Sequence, residues 1–411
     1  MIEANKGDIF LCRFFYAYNV VEKKLMELYK LELMKLSIVG GGIAGLTTAI
    51  ALKERGISST IFESSPKLDA IGAGLGLGAN AIRAFEKIGL GNQVMSLGRI
   101  LSSFTIYDQK GKIITHTNNA ALTKKYGVNN FTIHRAALQQ FLLSKIDSAC
   151  IYTNRRATGF TKIPGGIKII FSDGSMHESN AVIVADGIHS VLRKKLLPDI
   201  EPRYAGYTCW RAVVDNSSLN LSETSETWGV TGRFGIVPLA DNKIYWFACM
   251  NAPQNDPAMK HFTIADLQKH FNHFHQPIPD ILQHTKDENL IWNDIIDLPP
   301  LKKYAHDNIV LIGDAAHATT PNMGQGACQA IEDAVILADE LHNNSSPALA
   351  FRQFEQRRLQ RTHYITNTSR SIGKIAQLDN PWLASIRNAL FSLMPASFNE
   401  RQLEKICKVD F

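Results

Sequence analysis

Leu36-Ser-Ile-Val-Gly40-Gly-Gly42-Ile-Ala44-Gly45-Leu-Thr-Thr-Ala-Ile-Ala-Leu-Lys-Glu-Arg-Gly56 is the stretch that decides the fold. Its first four residues form a short apolar run ending in glycine, the pattern of a buried parallel strand. Gly40, Gly42 and Gly45 then spell GxGxxG, and Ile43, Leu46, Ile50 and Leu52 follow near helical spacing until Gly56 stops the helix. Residues 59–62 read as a second strand, with Glu63 at its end, 18 residues beyond Gly45. Strand, glycine turn, helix and strand make a βαβ unit. In that setting the glycines permit a tight turn and let a pyrophosphate approach the helix N-terminus, whose dipole and free N–H groups favour an anion. Glu63 can accept hydrogen bonds from both hydroxyls of a ribose and would repel a 2′-phosphate. The alternative is an ordinary glycine turn; the strand before it, the helix after it and the acid beyond weigh against that.

Working outward, residues 72–91 are glycine-rich and then helical over 80–88. A polar, turn-like region follows to about residue 130, and 136–146 reads as an amphipathic helix. Turn signals at Pro164-Gly165-Gly166 and Asp173-Gly174 predict antiparallel strands, ending in an apolar strand over 181–185. Residues 204–250 alternate strands and turns. Thr263-x-x-Asp266 has the form of a capping box, with Ile264, Leu267, Phe271 and Phe274 on one helix face behind it. A last buried strand is predicted at 309–312, and the chain from Pro347 onward reads as largely helical.

A length of 411 residues predicts about two to three domains. Charged residues make up 20% and apolar ones 45%, which excludes disorder and coiled coil for the whole. A net charge of +6 over this length is too weak to argue for nucleic acid. The six cysteines, Cys12, Cys150, Cys209, Cys249, Cys328 and Cys407, include no CxxC pair, so a reducing cytoplasm and no metal site are expected. No apolar run is long enough for a transmembrane helix. Residues 9–21 are apolar and aromatic, but Arg13 interrupts them and Glu3 and Asp8 precede them where a signal peptide wants positive charge. Membrane association is not expected. Met34 opens a normal first strand, so residues 1–33 read as an appended helix or a start codon placed too early.

Two further motifs carry chemistry. Ala185-Asp186-Gly187-Ile188-His189-Ser190-Val191-Leu192-Arg193 follows an apolar strand, with a turn at Asp186-Gly187 and with Ser190 and Arg193 three residues apart. Alone, it could be any strand-to-helix junction. Gly313-Asp314-Ala-Ala-His317 follows the strand at 309–312 and continues through Pro321, Gly324, Gln325 and Gly326 to Glu332-Asp333. Asp314 can hold a sugar hydroxyl, the two glycines let a flat ligand lie against bare backbone, and the helix beginning there offers its positive end to developing negative charge.

Taken together, the three motifs resemble the class A flavoprotein monooxygenases, the para-hydroxybenzoate hydroxylase family, in order and spacing from Met34 to about Leu341. Ile133-His134-Arg135 with Leu138-Gln139 resembles the family's helix beside the flavin phosphate and ribitol. Gly72-Ala-Gly74-Leu-Gly76-Leu-Gly-Ala79-Asn80 is similar to a substrate-side segment of the subgroup holding urate hydroxylase, salicylate-type hydroxylases and zeaxanthin epoxidase, with Ala79 where proline is usual. The resemblance implies an α/β fold: a Rossmann-like FAD domain over 34–203 and 298–345, an interleaved antiparallel substrate domain over 204–297 to which 72–130 partly contributes, and C-terminal helices over 346–411. It implies bound FAD, with Gly40, Gly42, Ala44, Gly45 and Glu63 on its ADP half, Arg135 and Gln139 on the linker, and Asp314 on the ribityl or pyrophosphate region. Pro321, Gly324 and Gly326 would face the isoalloxazine, and Asp186 and Arg193 would serve both FAD and a transient NADPH or NADH. The implied reaction is NAD(P)H- and O2-dependent hydroxylation of an aromatic or related electron-rich small molecule through a flavin C4a-hydroperoxide, with no protein nucleophile. A monomer or homodimer in the cytoplasm is expected.

On the substrate side, Arg211 can pair with a carboxylate or enolate oxygen, or make a salt bridge at a domain boundary. Arg233, Phe234, Tyr245 and Trp246 can line an aromatic pocket or belong to the core. His270, His273 and His275 lack a carboxylate or cysteine partner and read as a solvated face, as does the basic run Arg352, Arg357, Arg358 and Arg361. His317 reads as positional. Three functions fit: an aromatic hydroxylase, which is favoured; the same scaffold oxidising a purine such as urate, a polyketide or antibiotic, or an alkene; and a flavin reductase or redox sensor that inserts no oxygen. The WxWxIP signature of flavin halogenases is absent. A chain shortened to begin at Met34 is expected to bind FAD as the full chain does; colourless or insoluble protein would refute the reading of residues 1–33 as dispensable.

Overall fold

The structure is a computed structural model that describes residues 34–68, 73–118, 123–124, 131–395, 404–409 and 411. Residues 1–33 and Gly72, on which two of the readings above fall, lie outside them.

The opening motif folds as its pattern dictates. Leu36–Val39 is buried at all four positions because it runs at the centre of a six-stranded sheet. The sheet order is Ala305–His306, Ile309–Leu311, Ala181–Val184, Leu36–Val39, Ser59–Phe62 and Ile151–Tyr152. Neighbours are parallel except for the first pair. A strand buried on both faces needs no alternation, which is why the sequence shows an unbroken apolar run there. Two of the glycines are demanded by packing. Gly40 has φ +112°, and a Cβ on it would lie 2.3 Å from the carbonyl oxygen of Ala185. A Cβ on Gly45 would lie 1.9 Å from the carbonyl oxygen of Gly40. Helix Ile43–Lys53 therefore starts hard against the strand ends, and it packs on the long helix Gly326–Asn343.

The turn signals at Pro164-Gly165-Gly166 and Asp173-Gly174 join the antiparallel strands Ala157–Ile163, Gly166–Phe171 and Met176–Ser179. The region read as polar and turn-like also contains strands, Gly98–Ile100, Ser103–Asp108 and Ile113–Asn118. Ser103–Asp108 and Ile113–Asn118 complete a seven-stranded sheet in the order Ile291–Asp297, Arg203–Asp215, Lys243–Asn251, Arg233–Pro238, Thr224–Trp228, Ser103–Asp108 and Ile113–Asn118. Only the pair Thr224–Trp228 and Ser103–Asp108 is parallel.

The pleat sorts this sheet into two faces. Trp210, Phe234 and Trp246 point to one, where they form a core with Leu267, Phe271 and Phe274. The rings of Phe234 and Trp246 stack with centroids 5.2 Å apart. Of the two readings open for Phe234 and Trp246, pocket or core, the structure places both in the core. The Thr263–Asp266 capping box is formed and starts the helix Ile264–Phe271 that covers this core. His270, His273 and His275 turn to Thr231 and Thr227, their ring nitrogens 2.9 to 3.2 Å from oxygens of those two residues.

The basic run on helix Pro347–Ala376 also needs correction. Arg352 and Arg357 are exposed, but Arg358 is wholly buried and Arg361 largely so. Arg358 donates from Nε to Asp333 (2.7 Å) and from a terminal nitrogen to Glu332 (2.5 Å), while Arg361 donates twice to Glu332 at 2.7 Å. Burial alone would raise both carboxyls, but the Arg358 charge, with Arg361 at Glu332 and His317 at Asp333, holds both below the ordinary range. Arg358→Ala removes one partner of a buried set, and is expected to destabilise the protein by about 3–5 kcal/mol in urea unfolding at neutral pH. The carboxylates' own contribution is complete above their unfolded values near pH ~4 and disappears as pH falls through the lower folded ones. A change below about 1 kcal/mol, the scale of an exposed pair, would refute the structural weight assigned to Arg358.

Candidate functional site

The open end of the βαβ unit is the first part of the site. No side chain caps helix Ile43–Lys53 at Gly42, and its first turn carries no acid. A Cβ on Gly42 would meet nothing within 4 Å, so bare backbone faces open space there. Glu63 stands beside this turn: its carboxylate accepts from the backbone N–H groups of Gly41 and Ser65, each at 2.7 Å. Ala44 packs where a Cβ on Gly313 would come within 3.0 Å of it, tying the first motif to the third.

The second part gathers around Asp314. Gly313 turns at φ +55°, and its N–H donates to Asp333 at 2.8 Å. His317 binds the same carboxylate oxygen at 2.6 Å, so it is positional as expected. The next side chain, Asp314, is thereby directed outward and is exposed. Among the described residues its carboxylate makes no hydrogen bond. It is solvent-accessible yet ringed by protein, as a group in a concave surface is; the crowding raises its pKa, and His317 and Arg135 pull it down again. Arg135 opens helix Arg135–Leu143 and is exposed, with Gln139 one turn on along the same face.

The DG motif supports this centre from behind. Ser190 caps helix Val191–Leu196 by accepting from the Arg193 N–H at 3.0 Å. Arg193 is 2% exposed and donates to the carbonyls of Ile188 (2.6 Å) and Ala315 (3.4 Å). Its terminal nitrogens are thus turned inward to hold the Gly313–Asp314 turn, while its Nε has no partner among the described residues. Asp186 differs: one of its carboxylate oxygens is buried without a partner, and burial raises its pKa against the pull of Ser190 and Arg193.

The third part is the cleft face of the seven-stranded sheet. Tyr207, Cys209, Arg211, Arg233, Gly235, Tyr245, Phe247 and Cys249 alternate with the core residues and so point the other way. Tyr245 lies on Gly74, where an added Cβ would come within 2.5 Å of its ring, and Phe247 lies in the same way over Gly235. Arg233 is fully enclosed. It donates to Gln377 (2.6 Å), Glu226 (2.9 Å) and Asn322 (3.0 Å) and sits over the Tyr207 ring at 5.2 Å. Burial would lower its pKa, but Glu226 raises it further, so it is a permanent cation. Pro321 and Gly324 lie exposed on either side of Asn322, and Gly324 adopts the left-handed conformation at φ +61° before helix Gly326–Asn343 begins. Arg211 is half-buried, donates to Asn293 at 3.3 Å and leaves its Nε without a partner. The neighbouring Cys209 leads the effects that raise its pKa.

The sequence reading missed Asn322, Tyr207 and Glu226 as members of this face. Asn322 had a signal, since it lies inside the Pro321–Gly324 turn; Glu226 had none.

Comparison with known proteins follows this geometry. The FAD binding domain family matches residues 34–365. The chain is 35% identical over 361 residues to aurachin C monooxygenase/isomerase of Stigmatella aurantiaca, covering 87% of this chain and 93% of that one. It is 29% identical over 379 residues to 2-heptyl-3-hydroxy-4(1H)-quinolone synthase of Pseudomonas aeruginosa, covering 91% and 97%. Among solved structures, that of Klebsiella pneumoniae HpxO complexed with FAD and uric acid superposes with a TM-score of 0.85 at 26% identity, covering 92% of this chain and 96% of that one. The uncapped glycine turn, the bare backbone beside it and the partnerless carboxylate of Asp314 fit a dinucleotide such as FAD. Glu63→Ala and Asp314→Ala are each expected to weaken FAD retention by about 10- to 100-fold, the worth of hydrogen bonds to a charged group, in flavin absorbance after gel filtration. Unchanged occupancy in both variants would remove these residues from the cofactor site.

Proposed function

We propose a substrate class for this chain, which belongs to the FAD binding domain family and is a class A flavoprotein monooxygenase. Its cofactor is FAD, with NAD(P)H the co-substrate typical of such enzymes, and its reaction is oxygenation of an aromatic or related small molecule. The proposed substrate is a flat, electron-rich fused heteroaromatic of the 4-quinolone type with an ionisable ring oxygen. When bound, FAD would supply the redox chemistry, passing two electrons from the nicotinamide to O2 so that one oxygen atom can enter the substrate and the other leave as water.

What remains for the chain is to hold both partners and keep water out. Residues 34–203 and 298–345 form the cofactor side. Gly40, Gly42, Ala44 and Gly45 present the helix N-terminus to the pyrophosphate, and Glu63 accepts the ribose hydroxyls. Arg135 and Gln139 border the linker, Asp314 takes a ribityl or pyrophosphate-side hydroxyl, and Pro321, Gly324 and Gly326 give the flat ring a bare backbone edge. Arg193 holds the Gly313–Asp314 turn, and the free oxygen of Asp186 accepts from the cofactor or the nicotinamide. Residues 204–297, joined by the strands of 103–118, form the substrate side.

Arg211 is the observation that carries the substrate class. Among the described residues its Nε has no partner, its charge is secure, and the rings of Tyr245 and Phe247 stand on the next strand of the same face. A cation beside aromatic walls favours a planar ring with an anionic oxygen. Ionising that oxygen pushes electron density into the ring, and the anionic form is the better nucleophile toward electrophilic oxygen. Support for a quinolone over a benzoate comes from the names of two relatives, the aurachin C and heptylquinolone enzymes.

A product screen by mass spectrometry with 4-quinolones, hydroxybenzoates, salicylate and urate tests this. A quinolone product one oxygen atom heavier and dependent on NAD(P)H is expected. Arg211→Ala should raise the KM for that substrate by about 10- to 100-fold while FAD occupancy stays as in the wild type. Oxygenation of urate or a benzoate in preference to every quinolone would overturn the proposed class.

A further inference from the structure

Cys209 and Cys249 stand directly opposite each other on adjacent antiparallel strands, Arg203–Asp215 and Lys243–Asn251. Directly opposed residues in such a pair have Cα atoms about 4.5 or 5.5 Å apart, and a disulfide spans roughly 4.4–6.8 Å, so either kind of pairing lies within its reach. Both side chains leave the sheet on the cleft face and pack in one cluster with Tyr207 and Ile295. Arg233 is register-paired with Cys249, and Arg211 lies two residues from Cys209 on the same face. Neither thiol has a role in the oxygenation as derived above.

We infer that Cys209 and Cys249 form an oxidisable dithiol, a site where hydrogen peroxide converts two thiols into a cross-strand disulfide on the cleft face of the sheet. The inference does not depend on the substrate class.

The two sulfurs are unequal, as such a reaction requires. Hydrogen bonding from the Cys249 thiol, aided by the Arg211 and Arg233 charges, overcomes burial and lowers Cys209 to about 7, whereas Cys249 is pushed up. The hydrogen bond between the two sulfurs and the Arg211 and Arg233 charges beside them favour a thiolate at Cys209, the nucleophile, with the Cys249 thiol poised to resolve it. The Cys209 thiolate attacks one peroxide oxygen; the O–O bond breaks, hydroxide leaves and takes a proton, and Cys209 becomes a sulfenic acid. The Cys249 sulfur then attacks the sulfenic sulfur as it gives up its proton; the S–S bond forms and water leaves. Two thiols lose two electrons, and one peroxide becomes two waters. Hydrogen peroxide is also what a flavoprotein monooxygenase releases when it oxidises NAD(P)H without oxygenating a substrate. The other described cysteines lack these features: Cys328 is pushed up to about 12 by burial, Cys407 is raised in the same way, and Cys150 lies outside the sheet.

Titrating the purified holoenzyme with hydrogen peroxide, followed by alkylation and non-reducing peptide mapping, tests the site. Expected is a linked pair of peptides containing Cys209 and Cys249, lighter by two hydrogens and separated again by dithiothreitol. Cys249→Ser should abolish the cross-link and instead accumulate the sulfenic acid at Cys209, trapped by dimedone. Cys209→Ser should show neither product. Retained flavin absorbance in both variants reports that each is folded, and Cys209→Ala and Cys249→Ala serve where serine is not tolerated. Oxidation of Cys209 to sulfinic acid without a cross-link in the wild type would overturn the inference, as would modification confined to Cys150 or no change in mass.

Discussion

The carboxylates of Glu332 and Asp333 are fully buried, and much of the remaining structure depends on how they are neutralised. Taking two such charges out of water costs several kcal/mol each unless their lone pairs are filled. Here they are filled from three directions. Arg358 and Arg361 arrive from the following helix, Asn80 donates to Glu332 at 2.5 Å from helix Ala79–Lys87, and the Gly313 N–H and His317 bind Asp333 from the third motif. Gln325 and Gln329 extend the set, Gln329 donating to Gln325 at 3.0 Å and to Glu332 at 3.1 Å. This network fixes the register of helices Gly326–Asn343 and Pro347–Ala376. Because Gly313 is one of its members, it also fixes the turn that presents Asp314. The position of Asp314 is thus set by a buried ionic network whose charges lie on two helices behind it.

The same logic of close approach governs the first motif. Helix Ile43–Lys53 can begin this close to the strand end because the backbone approaches itself at Gly40 and Gly45, where a Cβ would collide. The reward for this crowding is an N-terminus left uncapped, whose peptide dipoles point at whatever anion binds. Glu63 sits beside that positive end, its carboxylate oriented by the N–H groups of Gly41 and Ser65, one on each oxygen.

The parts legible in the sequence were those set by local rules. The apolar run before GxGxxG, the acid after the second strand, the capping box at Thr263 and Asp266 and the turns at Gly165 and Gly174 each depend on neighbours within a few residues. The illegible parts depend on what a distant segment brings. Helical spacing places Arg358 on a face, but only the acids of another helix make that face the buried one. Strand alternation separates Phe234 and Trp246 from Arg233 and Tyr245, yet nothing local says which set meets the covering helices. Of the strands over 103–118 only Ile113–Asn118 lies at the sheet edge, and their apolar face is no more than Phe104, Ile106 and Ile114, whose cover comes from Trp228 and the distant Ala376 and Phe391. The opposition of Cys209 and Cys249 is a matter of register between strands joined by two further strands and their loops.

Asn322 accepts from Tyr207 and Arg233 of the substrate-side sheet, and its amide donates to Thr320 (2.9 Å) and the Ser369 carbonyl (2.9 Å) on the cofactor side. Gly373 lies so close that a Cβ on it would come within 2.4 Å of the Asn322 amide nitrogen. Arg233, Asn322 and Tyr207 therefore behave as one closed knot in which every polar atom has work and no volume is spare. Arg211, on the same face, is half-buried with an unused donor, and its charge can be redirected without breaking that knot. A sheet built this way separates two conditions: the positions that join it to the Pro321–Gly324 turn are held by mutual satisfaction, while Arg211 keeps a donor without a partner among the described residues.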